Sequence, residues 1–366
     1  MTEPLFPYMF WAREKALRTP HGLSQSGMPT ASAELLQLPA DPVADLDPPL
    51  EWLPRVEAQI ARHVGVEPER VIVTGGATGA LHLAAGVCFP ESHVVTETPS
   101  YNPFRALAEL YARSQTPIER RLEEGWALAP DAVSRALYAR RPPAHLFVCN
   151  PHNPTGALAG PESLLELAQL ASGTDGLLIS NETYMEFAPP EKRYYAARLA
   201  PNAISLGSLT KAYGLGPLRI GWLVLGEGVA RERKHFLDRQ YLVSVDNPTS
   251  SLRAGLHALK RLQVFEERLH RVERESKPVF REWLENEERV HGRVPPYGIS
   301  AFVAIENVRD THALSEHLAL QHAVDVVPGE FFGAGGYLRI GFGVEADVLS
   351  QGLRNLSEGL TSFAQS

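Results

Sequence analysis

Short apolar runs bounded by turn residues recur through the first two thirds of the chain, at 71–73, 93–97, 145–150, 177–181, 203–206 and 220–225. Helical patterns separate most of them, as at 103–112, 130–138 and 161–171. Continuous apolar runs suit strands buried on both faces, and parallel neighbours need a crossover, usually a helix. The alternation therefore predicts an α/β domain with a mostly parallel sheet. Ligands of such sheets bind outside the carboxyl ends of the strands. The loops that follow these runs are where chemistry is expected.

At 366 residues the chain exceeds one ordinary core, so about two domains are expected. An N-terminal segment is placed at 1–50, a large domain at 51–247 and a smaller C-terminal domain at 248–366. Near Pro248 the composition shifts to charged helices whose Leu252, Leu256, Leu259, Leu262, Phe265 and Leu269 recur at helical spacing, as a core stripe does. A second α/β unit follows, with apolar runs at 301–305, 324–327 and 337–342 around a helix at 311–322. Residues 39–54 carry five prolines and four acidic residues and read as an irregular linker before an amphipathic helix at 56–64. Phe6, Tyr8, Phe10 and Trp11 crowd the N-terminus. Exposed aromatic surface is costly, so this segment is expected to pack on its own or a neighbouring subunit.

Composition excludes some partners. With 44% hydrophobic and 21% charged residues the chain reads as an ordinary soluble globular protein. A net charge of −8 without a basic tract argues against nucleic acid and anionic membrane. No apolar run approaches the ~20 residues of a membrane span, and no leader pattern opens the chain, so a cytoplasmic location is expected. Cys88 and Cys149 lack a CxxC or zinc spacing and read as reduced core residues, and the thirteen histidines show no metal spacing, so no metal is expected.

The chemistry concentrates around Lys211, which stands among small and hydroxyl residues just before the run at 220–225. A partly desolvated amine loses its proton easily and suits a Schiff base to an aldehyde cofactor. A solvated loop lysine fits the same residues taken alone. Ser208 and Arg219 flank it as candidate holders of an anionic group. Gly75-Gly76-Ala77-Thr78-Gly79 joins a strand to a helix and leaves backbone N–H groups free for a phosphate, although such turns also serve packing alone. Asn150-Pro151-His152-Asn153-Pro154-Thr155-Gly156 is a turn at a strand end. Tyr101 by itself reads as a core tyrosine. Arg339 interrupts an apolar strand with a charge that needs a partner if buried. Gly27, in the loop 23–29, permits close backbone approach to a ligand.

In this order the motifs resemble those of the class I/II aminotransferases, fold-type I enzymes that use pyridoxal 5'-phosphate (PLP). The resemblance covers roughly Leu23 to the C-terminus. It implies a large domain with a mostly parallel seven-stranded sheet flanked by helices, a smaller α/β domain, and a homodimer with active sites near the subunit interface. It also implies transfer of an amino group between an α-amino acid and a 2-oxo acid. Residue by residue, Lys211 would form the Schiff base and shuttle a proton. Gly76, Ala77, Thr78, Ser208 and Arg219 would hold the phosphate. Tyr101 would stack on the pyridine ring, Asn153 and Tyr184 would bond its ring oxygen, and Gly27, Asn153 and Arg339 would meet the substrate, Arg339 through its carboxylate.

Two departures stand out. No tyrosine occurs from 12 to 100, where the family offers one to the partner subunit's phosphate. Where the family pairs an aspartate with the pyridine nitrogen, this chain has Asn181, in Ser180-Asn181-Glu182-Thr183-Tyr184. A unit-charge pair near 4 Å is worth roughly 4 kcal/mol at an effective dielectric of 20, so its loss can lower the ring nitrogen's pKa by up to about three. A weakened electron sink is expected. A PLP-dependent lyase, decarboxylase or oxidase of the same fold, or a non-catalytic PLP-binding protein, fits the same motifs.

Overall fold

A computed structural model describes residues 4–15, 19–37 and 49–364. Seven strands form the central sheet: β1 (Val71–Gly75), β2 (His93–Thr98), β3 (Ser114–Glu119), β4 (Ala144–Cys149), β5 (Leu178–Asn181), β6 (Ala203–Ser208) and β7 (Ile220–Leu225). Their spatial order is β1-β7-β6-β5-β4-β2-β3. β2, β3, β4, β5 and β6 pair in parallel, and β7 runs antiparallel to both β6 and β1, so β1 runs with the parallel set. The sheet is thus mostly parallel, as the alternation requires. β7 reverses because the chain returns from Ser208 to Ile220 with only a short 3-10 turn at Gly216–Leu218, and a parallel return needs a longer crossover. That short return carries Lys211.

β4, β6 and β7 are buried at every position, which explains their unbroken apolar runs. β3 went unread because it is an edge strand. It is only partly buried, polar, and contains Pro117, a residue confined to strands with an unpaired side.

Helix Leu53–Val64 buries Val56, Ile60, Ala61 and Val64 along one stripe and stops at Gly65, whose φ of 80° suits glycine. Each large apolar side chain there contributes about 1.5–3 kcal/mol by leaving water. The linker expectation is corrected at its end. Residues 39–48 lie outside the described residues, but Pro54 sits in the first turn of this helix, where its missing N–H has no helical partner to lose.

The second sheet holds β8 (Val290–His291), β9 (Ser300–Ile305), β10 (Val327–Pro328) and β11 (Tyr337–Gly341) in the order β10-β11-β9-β8, all antiparallel. The run expected at 324–327 enters the ladder only at Val327. Its earlier backbone groups are taken elsewhere: Val324 N–H caps the helix Thr311–His322 at Leu318, Asp325 O accepts from Leu23, and Val326 O accepts from Ser315. One hydrophobic core runs from Leu23 to Leu360 and joins residues of both sheets. Helix Pro7–Glu14 packs Tyr8 and Trp11 against Phe331 of the same chain, Phe6 just before it lies edge-on to Tyr101 at 5.5 Å, and Phe10 stays exposed.

Candidate active site

The carboxyl ends of five parallel strands meet at one edge of the large sheet. There the chain leaves β1 into Gly76–Thr78, β2 into Tyr101, β4 into Asn153, β5 into Asn181–Tyr184 and β6 into Lys211. β7 runs the other way, so its contribution, Arg219, precedes the strand. The register fixes these neighbours: Ser208 pairs with Gly221, and Gly221 with Thr74.

Lys211 has a hydroxyl rather than a carboxylate for company. Its Nζ donates to Ser26 Oγ at 3.3 Å, and Tyr184 Oη donates to the same oxygen at 3.0 Å. Burial, with the positive charge of Arg339 adding to it, lowers the amine's pKa to about 8. Gly27 packs directly on the lysine, since a β-carbon there would stand 3.0 Å from Lys211 Cδ, and Met28 N–H donates to Lys211 O at 2.8 Å. Gly27 therefore seats Lys211.

The Lys211 turn is anchored from below. Tyr213 Oη donates to Glu186 Oε2 at 2.6 Å, and His63, Tyr195 and Arg193 converge on the same carboxylate. Burial alone would raise the Glu186 pKa, but His63, Arg193 and these hydrogen bonds override it and hold the group at about 2.

A candidate anion site stands at the same edge of the sheet. Helix Gly76–Cys88 starts without a side-chain cap, which leaves its first N–H groups unsatisfied by the helix itself. Gly76 has φ 80°, and a β-carbon on it would collide with the Arg219 guanidinium. Arg219 holds a left-handed backbone, φ 53°, a strain on the order of 1–2 kcal/mol for a residue with a β-carbon. Its Nη2 donates to Gly75 O at 2.9 Å, which aims the guanidinium at the helix start. Ser208, fully buried, takes the Thr210 N–H at 3.2 Å.

Arg339 lies across the cleft on β11 and is 1% exposed. Its Nη1 donates to Asn153 Oδ1 at 3.3 Å and its Nη2 to Tyr8 Oη at 2.9 Å and Ser24 O at 3.0 Å. The Tyr8 and Phe332 rings flank it at 5.4 and 5.1 Å. Among the described residues no carboxylate pairs with it. A buried cation with only neutral partners is a receptor for an anionic group. Among the described residues, Arg339 Nε, Ser24 Oγ, Ser100 Oγ and Asn102 Oδ1 are buried without hydrogen-bond partners.

The fold thus gathers Gly76, Ala77, Thr78, Ser208, Lys211 and Arg219 at one edge of the sheet and Asn153 beside Arg339. Tyr101 packs among Phe6 and Tyr8, with burial raising its pKa. Sequence reasoning missed Ser26, the hydroxyl shared by Lys211 and Tyr184, though it stands next to Gly27 in the loop already singled out. It also missed Tyr8 as a partner of Arg339 and Thr183 as a partner of Asn181.

A strand-end lysine, an uncapped helix start beside Arg219 and a buried guanidinium thus make up a candidate active site on a sheet of this order. Comparison with known proteins gives the family. The profile of the family "Aminotransferase class I and II" matches residues 25–356. Capreomycidine synthase of Streptomyces vinaceus is 30% identical over 377 residues, covering 99% of this chain and 95% of that one. The fold matches a PLP-dependent aminotransferase from Streptococcus suis with a TM-score of 0.85 at 24% identity, over 99% of each chain. It also matches a PLP-dependent cyclase, OrfR, with a TM-score of 0.82 at 22% identity, over 99% of this chain and 98% of the other. The chain belongs to the class I and II aminotransferase family and has its fold-type I architecture.

Proposed function

We propose that this enzyme transfers an amino group between an α-amino acid and a 2-oxo acid, with PLP held on Lys211 and the substrate carboxylate on Arg339. The observation that carries this reading is the pairing of a desolvated amine with two cationic receptors. One is the uncapped helix start with Arg219 and Ser208, and the other is the buried Arg339. These residues fit the cofactor: Gly76 leaves room where a side chain would collide with Arg219, and the free N–H groups suit a phosphate. Tyr101, Asn153, Asn181 and Tyr184 would line its ring.

PLP, when bound, supplies an electron-withdrawing ring that stabilises negative charge at the substrate's α-carbon. The protein's own part is positioning and proton transfer. Lys211, with a pKa near 8, exchanges its proton close to neutral pH and suits proton movement at that carbon. Ser26 holds Lys211 and Tyr184 together, while Tyr8 and Asn153 orient Arg339.

Borohydride reduction of the PLP-loaded protein followed by peptide mapping tests the assignment. An adduct on Lys211 is expected; an adduct on another lysine, or none, overturns it.

A second reading is a PLP reaction other than amino transfer. Asn181 favours it, and so does a full-length relative named as a synthase. Incubation with amino acids separates the two, because amino transfer leaves the released cofactor carrying the amino group.

The same reading includes a homodimer. Tyr241, Leu242, Val243 and Val245 are exposed beside a cleft of about 610 Å³ that Thr78 and Arg219 also line, a surface suited to a second subunit next to the cup. The units 51–247 and 248–366 belong to it too, with the seven-stranded sheet inside the first and the four-stranded sheet inside the second. A cytoplasmic location accords with it. Among the described residues no helix is long and apolar enough to cross a membrane.

A further inference from the structure

Asn181 ends β5 only 5% exposed, and its amide is not free to turn. Its Oδ1 accepts from the Thr183 backbone N–H at 3.2 Å and from Thr183 Oγ1 at 2.6 Å. The hydroxyl alone would not decide which amide atom faces it, because a hydroxyl donates or accepts. A backbone N–H only donates. The oxygen must therefore face Thr183 and the NH₂ must point away, and that NH₂ has no partner among the described residues.

Neighbouring acids are committed elsewhere. Glu97 takes Arg120 with one oxygen and the Cys149 N–H with the other. Glu186 is held by His63, Tyr195 and Tyr213. Glu182 turns to the other side of the strand, where Oε1 accepts from Ala196 N–H, and burial raises its pKa to about 8, so it is mostly uncharged at pH 7. Among the described residues, each of these neighbouring carboxylates is thus engaged elsewhere or neutral, and none is left to hold a proton on a ring nitrogen at this strand end.

Resting on the reading of PLP bound at Lys211, we propose that Thr183 fixes Asn181 as a hydrogen-bond donor to the cofactor's pyridine nitrogen, which is thereby held unprotonated. A donor needs a free lone pair, and a protonated ring would set N–H against N–H. Asn181 meets the cofactor, and Thr183 is a positioning residue acting through it. A neutral ring draws less charge from the α-carbon, so more of the developing charge falls to donors around the substrate.

Holoenzyme loaded with PLP carrying ¹⁵N in its ring tests this by NMR, because the nitrogen shift separates neutral from protonated pyridine. A neutral signal is expected in the native chain and in Thr183→Val, and a protonated one in Asn181→Asp. PLP affinity, read by absorbance, should fall roughly two- to tenfold in Asn181→Ala, the range for one lost hydrogen bond, and by less in Thr183→Val, which keeps the backbone N–H that sets the amide and loses only the hydroxyl that steadies it. The double variant should bind no more weakly than Asn181→Ala, since Thr183 acts only through Asn181. Thr183→Ser keeps both donors and should match the native chain. A protonated native signal, or additive losses in the double variant, overturns the proposal alone. Absence of any Lys211 adduct overturns the wider reading and this one with it.

Discussion

Replacing Lys211 by methionine should make the cofactor-free protein more stable, and the gain should fade with rising pH. Burial, helped by the charge of Arg339, lowers the amine from an ordinary 10.5 to about 8. At ~1.4 kcal/mol per tenfold change in proton affinity, holding that charge inside the fold costs roughly 3 kcal/mol at pH 7. The unfolded chain keeps this proton up to about pH 10.5, whereas the folded chain releases it near 8, so the lysine's penalty is full below 8 and disappears across that window. Methionine is similarly long and flexible but uncharged. Ser26 loses one donor, an offset of about 1 kcal/mol, which leaves a net gain of about 2 kcal/mol at pH 7. Urea unfolding of both cofactor-free forms between about pH 6.5 and 9.5 measures the gap. A gap that stays constant with pH, or a variant less stable than the native chain at pH 7, would refute the claim that this amine is desolvated against the interest of folding.

Other substitutions probe the two receptors and the hydroxyl between them. Arg339→Ala should weaken amino-acid binding by about 2 kcal/mol or more while PLP stays bound, as measured by spectral titration of the holoprotein. Gly76→Ala places a β-carbon at φ 80° against Arg219 and should weaken PLP binding about tenfold or more at unchanged substrate specificity, read by absorbance titration. Ser26→Ala should leave PLP affinity unchanged and slow single-turnover reaction with substrate roughly two- to tenfold, because Lys211 and Tyr184 lose their shared partner.

The core of the large sheet was legible because β4, β6 and β7 are buried throughout and read as unbroken apolar runs. β3 was not, since an edge strand has only one paired side and tolerates polar residues and Pro117. The run at 324–327 misled for the opposite reason. Val324 and Val326 are fully buried, yet their backbone groups serve a helix end and a neighbouring side chain instead of the ladder. At the site, residues within one motif were readable. Contacts between distant segments were not: Ser26 with Lys211 and Tyr8 with Arg339 depend on the second sheet and the N-terminus reaching the cleft, which no local spacing encodes. Asn181 was read as a missing charge, but the direction of its amide depends on the Thr183 backbone, which only coordinates provide.

The guanidinium of Arg339 is held by Tyr8 and Ser24 from the start of the chain, Asn153 from the large sheet, and its own strand near the end. The anion cup and the amine, in contrast, come almost wholly from one continuous stretch between Thr74 and Gly221. Under the proposed assignment, substitutions around the guanidinium would alter which acids are accepted while the cofactor's seat is inherited unchanged. The reverse is harder, since Ser208 of the proposed seat also pairs with Gly221 inside the large sheet. Descendants of such a chain can change diet more readily than trade.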